Sequence, residues 1–166
     1  MNEMMVELFK HNTWANVRMI EFCRDLPQEQ RDSDLTLAGT YGKIRDTLVH
    51  LVAASEGYLV TYGRWTQKPA PEFTTWYELI QRARASGEAY QQWVAETPVE
   101  ESKDADFGPE TWRSPSWIIQ TQMIDHDTEH RTHVGTVMAQ FGVQSPPVDM
   151  WAYGAEAGLV KHWPKT

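Results

Sequence analysis

The sequence predicts an all-α protein, a four-helix bundle with a short fifth helix near the C-terminus. Four long segments carry apolar residues at three- and four-residue spacings, which is the pattern of amphipathic helices. Residues that favour helix starts and helix ends flank these segments. No stretch alternates apolar and polar residues as a half-buried strand does. The four helices are therefore expected to pack on one another.

Length and charge limit the class of protein. The 166 residues suit a single domain spanning positions 1–166. The formal net charge of -8 disfavours polyanionic partners, so we expect neither nucleic acid nor a membrane surface as a partner. The single cysteine, Cys23, allows no internal disulfide and fits a reducing compartment. Because the sequence shows no secretory pattern and no apolar run of about 18 residues, a cytoplasmic location is expected.

The first two predicted helices have recognisable ends. Helix one begins at Asn2, a favourable N-cap residue, and stops before Pro27. Helix two lies in "TYGKIRDTLVHLVAASEGYLVTYG" and stops at Gly63. The helical spacing in helix one selects Met5, Leu8, Asn12, Ala15, Met19, Phe22 and Leu26. The seam of helix two consists of Ile44, Leu48, Leu51, Ser55, Tyr58 and Tyr62.

Helix three follows "RWTQKPAPE", which its prolines mark as a loop. Thr74 or Thr75 caps this helix, which extends through "WYELIQRARASGEAYQQWVAE" although Gly87 weakens a helix. Residues 97–113 contain turn residues and acidic charge, so they are predicted to form a long connection.

The fourth helix carries most of the histidines, and a fifth helix follows it. Ser114 is predicted to cap helix four, with Pro115 at its first position and Gly142 at its end. A short fifth helix is predicted from about Val148 to Val160.

The stretch "DHDTEHRTH", residues 125–133, places three histidines within about two turns of helix four. At 100° per residue, His130 lies at the centre of the apolar face. His126 lies about 40° to one side, His133 about 60° to the same side, and Asp127 about 60° to the other side. Glu129 and Arg131, about 100° from the centre, are expected on the flank or surface.

Histidines four residues apart on one helix face can bind the same ion, which makes His126 and His130 a candidate metal-binding pair. His130 and His133, three residues apart, also have a chelating spacing. A third ligand must come from another helix, and His50 of helix two is the best candidate. Its neighbours one turn away are small and leave room for an ion and a substrate: Thr47, Ala53, Ala54 and Gly57. The alternative is a set of core histidines satisfied by hydrogen bonds.

The remaining two histidines, His11 and His162, are interpreted as surface or packing residues.

Four segments, in this order, resemble the DinB/YfiT-like family of bundle proteins. They are "FKHNTWANVRMIEFCRDL", with Trp14, Ala15 and Asn16, then "TYGKIRDTLVHLVAASEGYL", "DHDTEHRTHVGTVMAQFG" and the ending "VDMWAYG". The resemblance implies an up-down-down-up bundle, commonly a homodimer, with one divalent metal on three histidines. Carried onto this sequence, the ligands are His50, His126 and His130. His133 stands where relatives often have glutamine, so it is expected in the pocket wall, supporting a ligand, or at the surface.

Three neutral imidazoles leave an ion with its full charge and an open position, which favours chemistry over a purely structural role. Zinc is the metal expected first, and nickel, iron or manganese also suit imidazole. The resemblance implies a thiol-dependent transferase acting on bacillithiol, mycothiol or glutathione, or a metal-dependent hydrolase of a small substrate. The alternative is a non-catalytic, stress-associated homodimeric bundle protein that binds a metal.

Several residues are candidates for supporting roles. Asp127 follows His126 as the glutamate does in "HExxH" peptidases, so it is a candidate general base, with a helix-flank carboxylate as the alternative. Asp46 and Glu56 are candidates for orienting a ligand imidazole. Three aromatic residues either line the mouth of a pocket or belong to the core: Tyr58, Tyr62 and Trp117.

Overall fold

The computed structural model describes residues 3–32, 42–67, 69, 72, 75–98 and 100–161 of the chain. Most of the described residues are helical, as predicted. The helices are α1 (Glu3–Arg24), α2 (Gln28–Arg31), α3 (Ile44–Thr61), α4 (Trp76–Glu96), α5 (Ser116–Gln140) and α6 (Met150–Glu156). The strands are β1 (Ser102–Phe107) and β2 (Glu110–Pro115).

Two of the predicted N-cap residues, Thr75 and Ser114, fall on described residues. The Oγ1 atom of Thr75 accepts a hydrogen bond of 3.1 Å from the backbone N–H of Glu78, so Thr75 caps α4 as predicted. The predicted start of the fourth long helix was wrong by one residue, because Ser114 and Pro115 end β2, Pro115 is the N-cap residue, and α5 begins at Ser116. The other predicted cap residues, Asn2 and Thr74, lie outside the described residues.

Two short helices differ from the prediction: α2 was not predicted, and α6 is shorter than predicted. The four-residue helix α2 directly follows Pro27 and is too short to show an apolar period. The predicted fifth helix forms over a narrower range, Met150–Glu156, and begins where the carboxylate of Asp149 accepts from the N–H groups of Trp151 and Ala152.

The long connection predicted at residues 97–113 contains an antiparallel hairpin, which was not predicted. Ser102 lies opposite Pro115, and the register continues to a two-residue turn that begins at Gly108, whose φ is +63°. A glycine with positive φ at the first turn position is typical of a tight hairpin. Ala105 is buried while most other hairpin residues are exposed, so the apolar alternation that announces a strand is missing.

Contacts between the long helices fix their relative directions. Later residues of α1 contact earlier residues of α4 but later residues of α5. Later residues of α3 contact earlier residues of α5 and of the strand that precedes it. The pairs that show this are Phe9–Tyr90, Glu21–Arg84, Asn16–Asp127, Cys23–Met138, His50–His126 and Tyr62–Ser114. Thus α1 and α5 run parallel to each other, and α3 and α4 run antiparallel to them.

The core consists of two apolar clusters at opposite ends of the bundle. One is built around Ile20, Leu48 and Met138, and the other around Phe9, Trp93 and Met123. Between them the helices bring buried polar side chains to the same level of the bundle. This middle layer contains Asn12, Asn16, Ser55, Glu56, Ser86, Asp127, His130 and Arg131. The bundle therefore contains a polar layer enclosed by two apolar ones.

Gly87 lies at the level of this layer and explains why a helix-weakening residue is found in the middle of α4. A Cβ atom at Gly87 would lie 2.1 Å from the Oγ1 atom of Thr13 in α1. No larger residue fits there without displacing α1, so the glycine permits the close approach of α1 and α4.

Within the described part of the chain, every helix is too short or too polar to cross a lipid bilayer.

Candidate metal centre

His50 of α3 and His126 and His130 of α5 meet in the polar layer. Each offers one ring nitrogen such that all three nitrogens lie within 4.8 Å of one another. The Nε2 atoms of His50 and His126 are 3.2 Å apart. Two nitrogens bound to one tetrahedral zinc ion at about 2.1 Å would be about 3.4 Å apart, so this spacing suits a shared ion.

The position of each histidine follows from its helix. Because α3 and α5 are antiparallel, His50 meets successive turns of α5, and its ring centroid lies 5.2 Å from that of His126 and 4.9 Å from that of His130. His50 is half-buried, and its neighbours Ala53 and Gly57 are small and partly exposed. Even a Cβ atom added at Gly57 would approach another side chain only to 4.0 Å. The cluster therefore borders a part of α3 without bulky side chains.

The surroundings of His50 and His130 keep these two imidazoles uncharged at neutral pH. Burial, together with the neighbouring His126, His50 and His133, lowers the pKa of His130 to about 4. Burial, followed by the proximity of His126, also lowers the pKa of His50. A neutral imidazole is the form that binds a metal, so these two rings are in the ligand form at neutral pH.

His133 lies beside the cluster and does not belong to the group of three converging nitrogens. Its ring centroid is 5.6 Å from that of His130, and its Nε2 atom is 3.9 Å from a carboxylate oxygen of Glu129. His11 is half-buried against the C-terminal segment, where its Nε2 atom is 2.9 Å from the carbonyl oxygen of Val148, in agreement with a packing role. His162 lies outside the described residues.

Asp127 and Arg131 are buried on the other side of α5, which corrects the prediction that Arg131 lies on the flank or surface and the alternative interpretation of Asp127 as a flank carboxylate. Their exposed fractions are 1% and 5%. Asp127 Oδ2 accepts hydrogen bonds from the amide groups of Asn12 at 2.6 Å and Asn16 at 2.7 Å. Arg131 Nη1 donates to the amide oxygens of both asparagines, at 2.7 Å for Asn12. Because α1 packs on this side of α5, side chains that point 60–100° away from His130 around the helix axis are also buried.

Asn12, Asn16 and Arg131 are residues of the site that the sequence analysis did not assign. The two asparagines are four residues apart on α1, as are Asp127 and Arg131 on α5. Polar residues four apart lie on the same side of a helix. Two such pairs, on two helices that pack in the core, indicate a buried hydrogen-bond network.

Glu56 and Asp46, the carboxylates predicted to orient a ligand imidazole, differ in their surroundings. Glu56 is buried in α3, and both of its oxygens accept from Arg82 of α4, at 2.9 and 2.6 Å. Its carboxylate thus forms an ion pair between α3 and α4. Asp46 has a side chain that is 44% exposed and lies 3.7 Å from Arg45 Nε.

The three aromatic residues predicted at a pocket mouth or in the core, Tyr58, Tyr62 and Trp117, differ in burial. Tyr62 is buried, and its hydroxyl lies 3.0 Å from Ser114 Oγ, which places it in the core. Tyr58 is partly buried against the same apolar cluster, whereas Trp117 is 45% exposed.

Comparison with known proteins places this chain in a family. A crystal structure of a DinB-like protein from Bacillus cereus ATCC 10987 resembles this chain with a TM-score of 0.68 and 19% sequence identity, covering 89% of this chain and 97% of that one. At this identity the likeness concerns the fold. The curated proteins contain no match to the chain. The sequence model of the DinB family matches residues 1–160, and this chain therefore belongs to the DinB family.

Proposed function

We propose that this protein is a divalent-metal-dependent enzyme in which His50, His126 and His130 hold one ion and leave a position open for a small substrate. The observation that carries the proposal is the convergence of three imidazole nitrogens from two helices in the polar layer. Zinc is the first candidate, and nickel, iron and manganese suit the same ligands.

The residues around the cluster fit such an ion. Two of the imidazoles are held neutral by burial, as metal binding requires. His50 and His126 remain partly exposed, which gives a small molecule a route to the cluster. When bound, the ion would act as a Lewis acid that lowers the pKa of a water or a thiol. Two reaction classes follow: transfer of a low-molecular-weight thiol such as bacillithiol, mycothiol or glutathione, and hydrolysis of a small substrate.

The first test is the metal content of tag-free protein measured by mass spectrometry. We expect about one divalent ion per chain in the wild type and a loss in both His50→Ala and His130→Ala, because each variant removes a ligand from a different helix. His11→Ala is the matched control, since it removes an imidazole that lies outside the cluster. No metal in the wild type after incubation with zinc or nickel would overturn the proposal.

Turnover is tested next on the metal-loaded protein with thiol-transfer and ester- or amide-hydrolysis substrates. Activity that disappears in His130→Ala and persists in His11→Ala would support an enzyme. A metal that binds with full occupancy, without turnover in either assay, would favour the alternative of a non-catalytic metal-binding protein.

A further inference from the structure

We infer that Asp127 is a positioning residue, whose carboxylate accepts a hydrogen bond from the Nδ1–H of His126 and so directs the Nε2 atom of His126 towards the shared metal position. This inference rests on the proposed function and assigns Asp127 a role other than that of a general base.

The carboxylate of Asp127 is fixed from one side. Its Oδ2 atom accepts from the amide groups of Asn12 and Asn16 in α1. This leaves Oδ1 directed at His126, whose Nδ1 atom is 3.5 Å away. With 1% of its surface exposed, Asp127 is poorly placed to remove a proton from a substrate, but well placed to orient the adjacent ring.

Arg131 determines which way the two asparagine amides face. A guanidinium group can only donate hydrogen bonds, so the amide oxygens of Asn12 and Asn16 must face Arg131 Nη1. Their NH₂ groups then face Asp127, whose Oδ2 atom accepts a hydrogen bond from each of them. The second guanidinium nitrogen, Nη2, donates to Thr128 Oγ1 at 2.8 Å and anchors the arginine to its own helix. The positive charge of Arg131 thus balances that of Asp127 through two neutral amides.

The arrangement defines the proton position on His126. An acceptor at Nδ1 requires the Nδ1–H tautomer, which leaves a lone pair on Nε2. The Nε2 atom of His50 lies 3.2 Å from that of His126, so in the metal-free protein His50 is the donor of this pair. Binding of an ion at His126 Nε2 makes the Nδ1–H group a stronger donor to Asp127, so the carboxylate supports the metal-bound form.

The test compares Asp127→Asn with Asp125→Asn, because these two aspartates flank His126 and only Asp125 is exposed. In Asp127→Asn the new amide oxygen must face the two asparagine donors. Its NH₂ group then faces His126 and removes the acceptor. We expect zinc and cobalt affinities, measured by competition with a chromophoric chelator, to fall by about 10- to 100-fold in Asp127→Asn and to stay within about twofold in Asp125→Asn.

The second readout is the tautomer of His126, determined by nitrogen-15 NMR on metal-free protein. We expect the Nδ1–H form in the wild type and the Nε2–H form in Asp127→Asn. The wild-type measurement needs no substitution, so it decides the question even if Asp127→Asn does not fold. An Nε2–H tautomer in the wild type, or unchanged affinity in a folded Asp127→Asn, would overturn the inference.

The two proposals fail separately. If the wild type binds no metal, the proposed function falls. The tautomer then still shows whether Asp127 orients His126.

Discussion

The two polar clusters on opposite sides of α5 differ in how their hydrogen-bonding groups are matched. On the α1 side, Asp127, Arg131 and two asparagines pair acceptors with donors and a negative charge with a positive one. On the α3 side, three imidazoles face one another, and two of them have a lowered pKa. The first cluster pairs its charges without a ligand, whereas the second brings together three ring nitrogens that could bind one ion.

This difference assigns different roles to neighbouring residues of one helix. A buried network with balanced charge stabilises the contact between α1 and α5, and its loss should appear in the free energy of unfolding. The three imidazoles are expected to contribute less to the fold without a ligand, and their loss should appear in metal binding. His126 and Asp127 are adjacent in sequence and connect the two clusters.

The largest effect on the free energy of unfolding is expected from disrupting the buried network between α1 and α5. Replacement of Arg131 by Met leaves Asp127 buried without a balancing charge and should lower the free energy of unfolding by about 3–5 kcal/mol. Urea denaturation of the metal-free protein measures this. The control is Arg113→Met, whose side chain is 73% exposed and which should change stability by less than about 0.5 kcal/mol. Similar stability of both variants would show that the buried network contributes little.

A smaller loss is expected at the α3–α4 ion pair in the same layer. Glu56→Gln removes the charge that Arg82 binds with two hydrogen bonds, and should destabilise the fold by about 1.5–3 kcal/mol while the metal content stays unchanged. Glu96→Gln is the control, because its pair with Arg64 is exposed and worth about 0–1 kcal/mol. Loss of metal in Glu56→Gln would instead connect Glu56 to the ligand set.

Acidification should weaken the metal-free fold gradually. His130 has a folded-state pKa of about 4, below the usual value of 6.5, because it is buried next to three other histidines. The unfolded chain takes up this proton near pH 6.5 and the folded chain does not, so the contribution is complete above pH 6.5 and is lost as the pH falls towards 4. Thermal unfolding at several pH values measures the slope, which His130→Gln should reduce. An unchanged slope would contradict the assignment.

The smallest effect is expected at the edge of the cluster. His133→Gln should leave one metal per chain and change the affinity by less than about threefold, since its ring lies next to His130 without joining the converging nitrogens. Calorimetric titration with zinc measures both quantities. A loss as large as that in His130→Ala would show that His133 is a fourth ligand.

Much of the fold could be predicted from local patterns. The long helices were recognised because their apolar periods extend over several turns and their ends carry recognisable residues, such as Thr75. The hairpin was missed because a polar two-stranded ribbon lacks apolar alternation, although Gly108 offered a turn signal. Arg131 was misplaced because a helical wheel measures its angle from the apolar face and contains no information on how many neighbours the helix packs against.

The sequence alone determined the long helices, the spacing of His126 and His130 on one face, and His50 as the best candidate for a ligand from another helix. These properties depend on residues that are near in sequence or on a pattern kept along the chain. Only the tertiary structure decided that Asn12 and Asn16 of α1 meet Asp127 and Arg131, and that Glu56 pairs with Arg82. Such partners lie far apart in sequence, and the relative directions and approach of the helices determine which of them come within hydrogen-bonding distance.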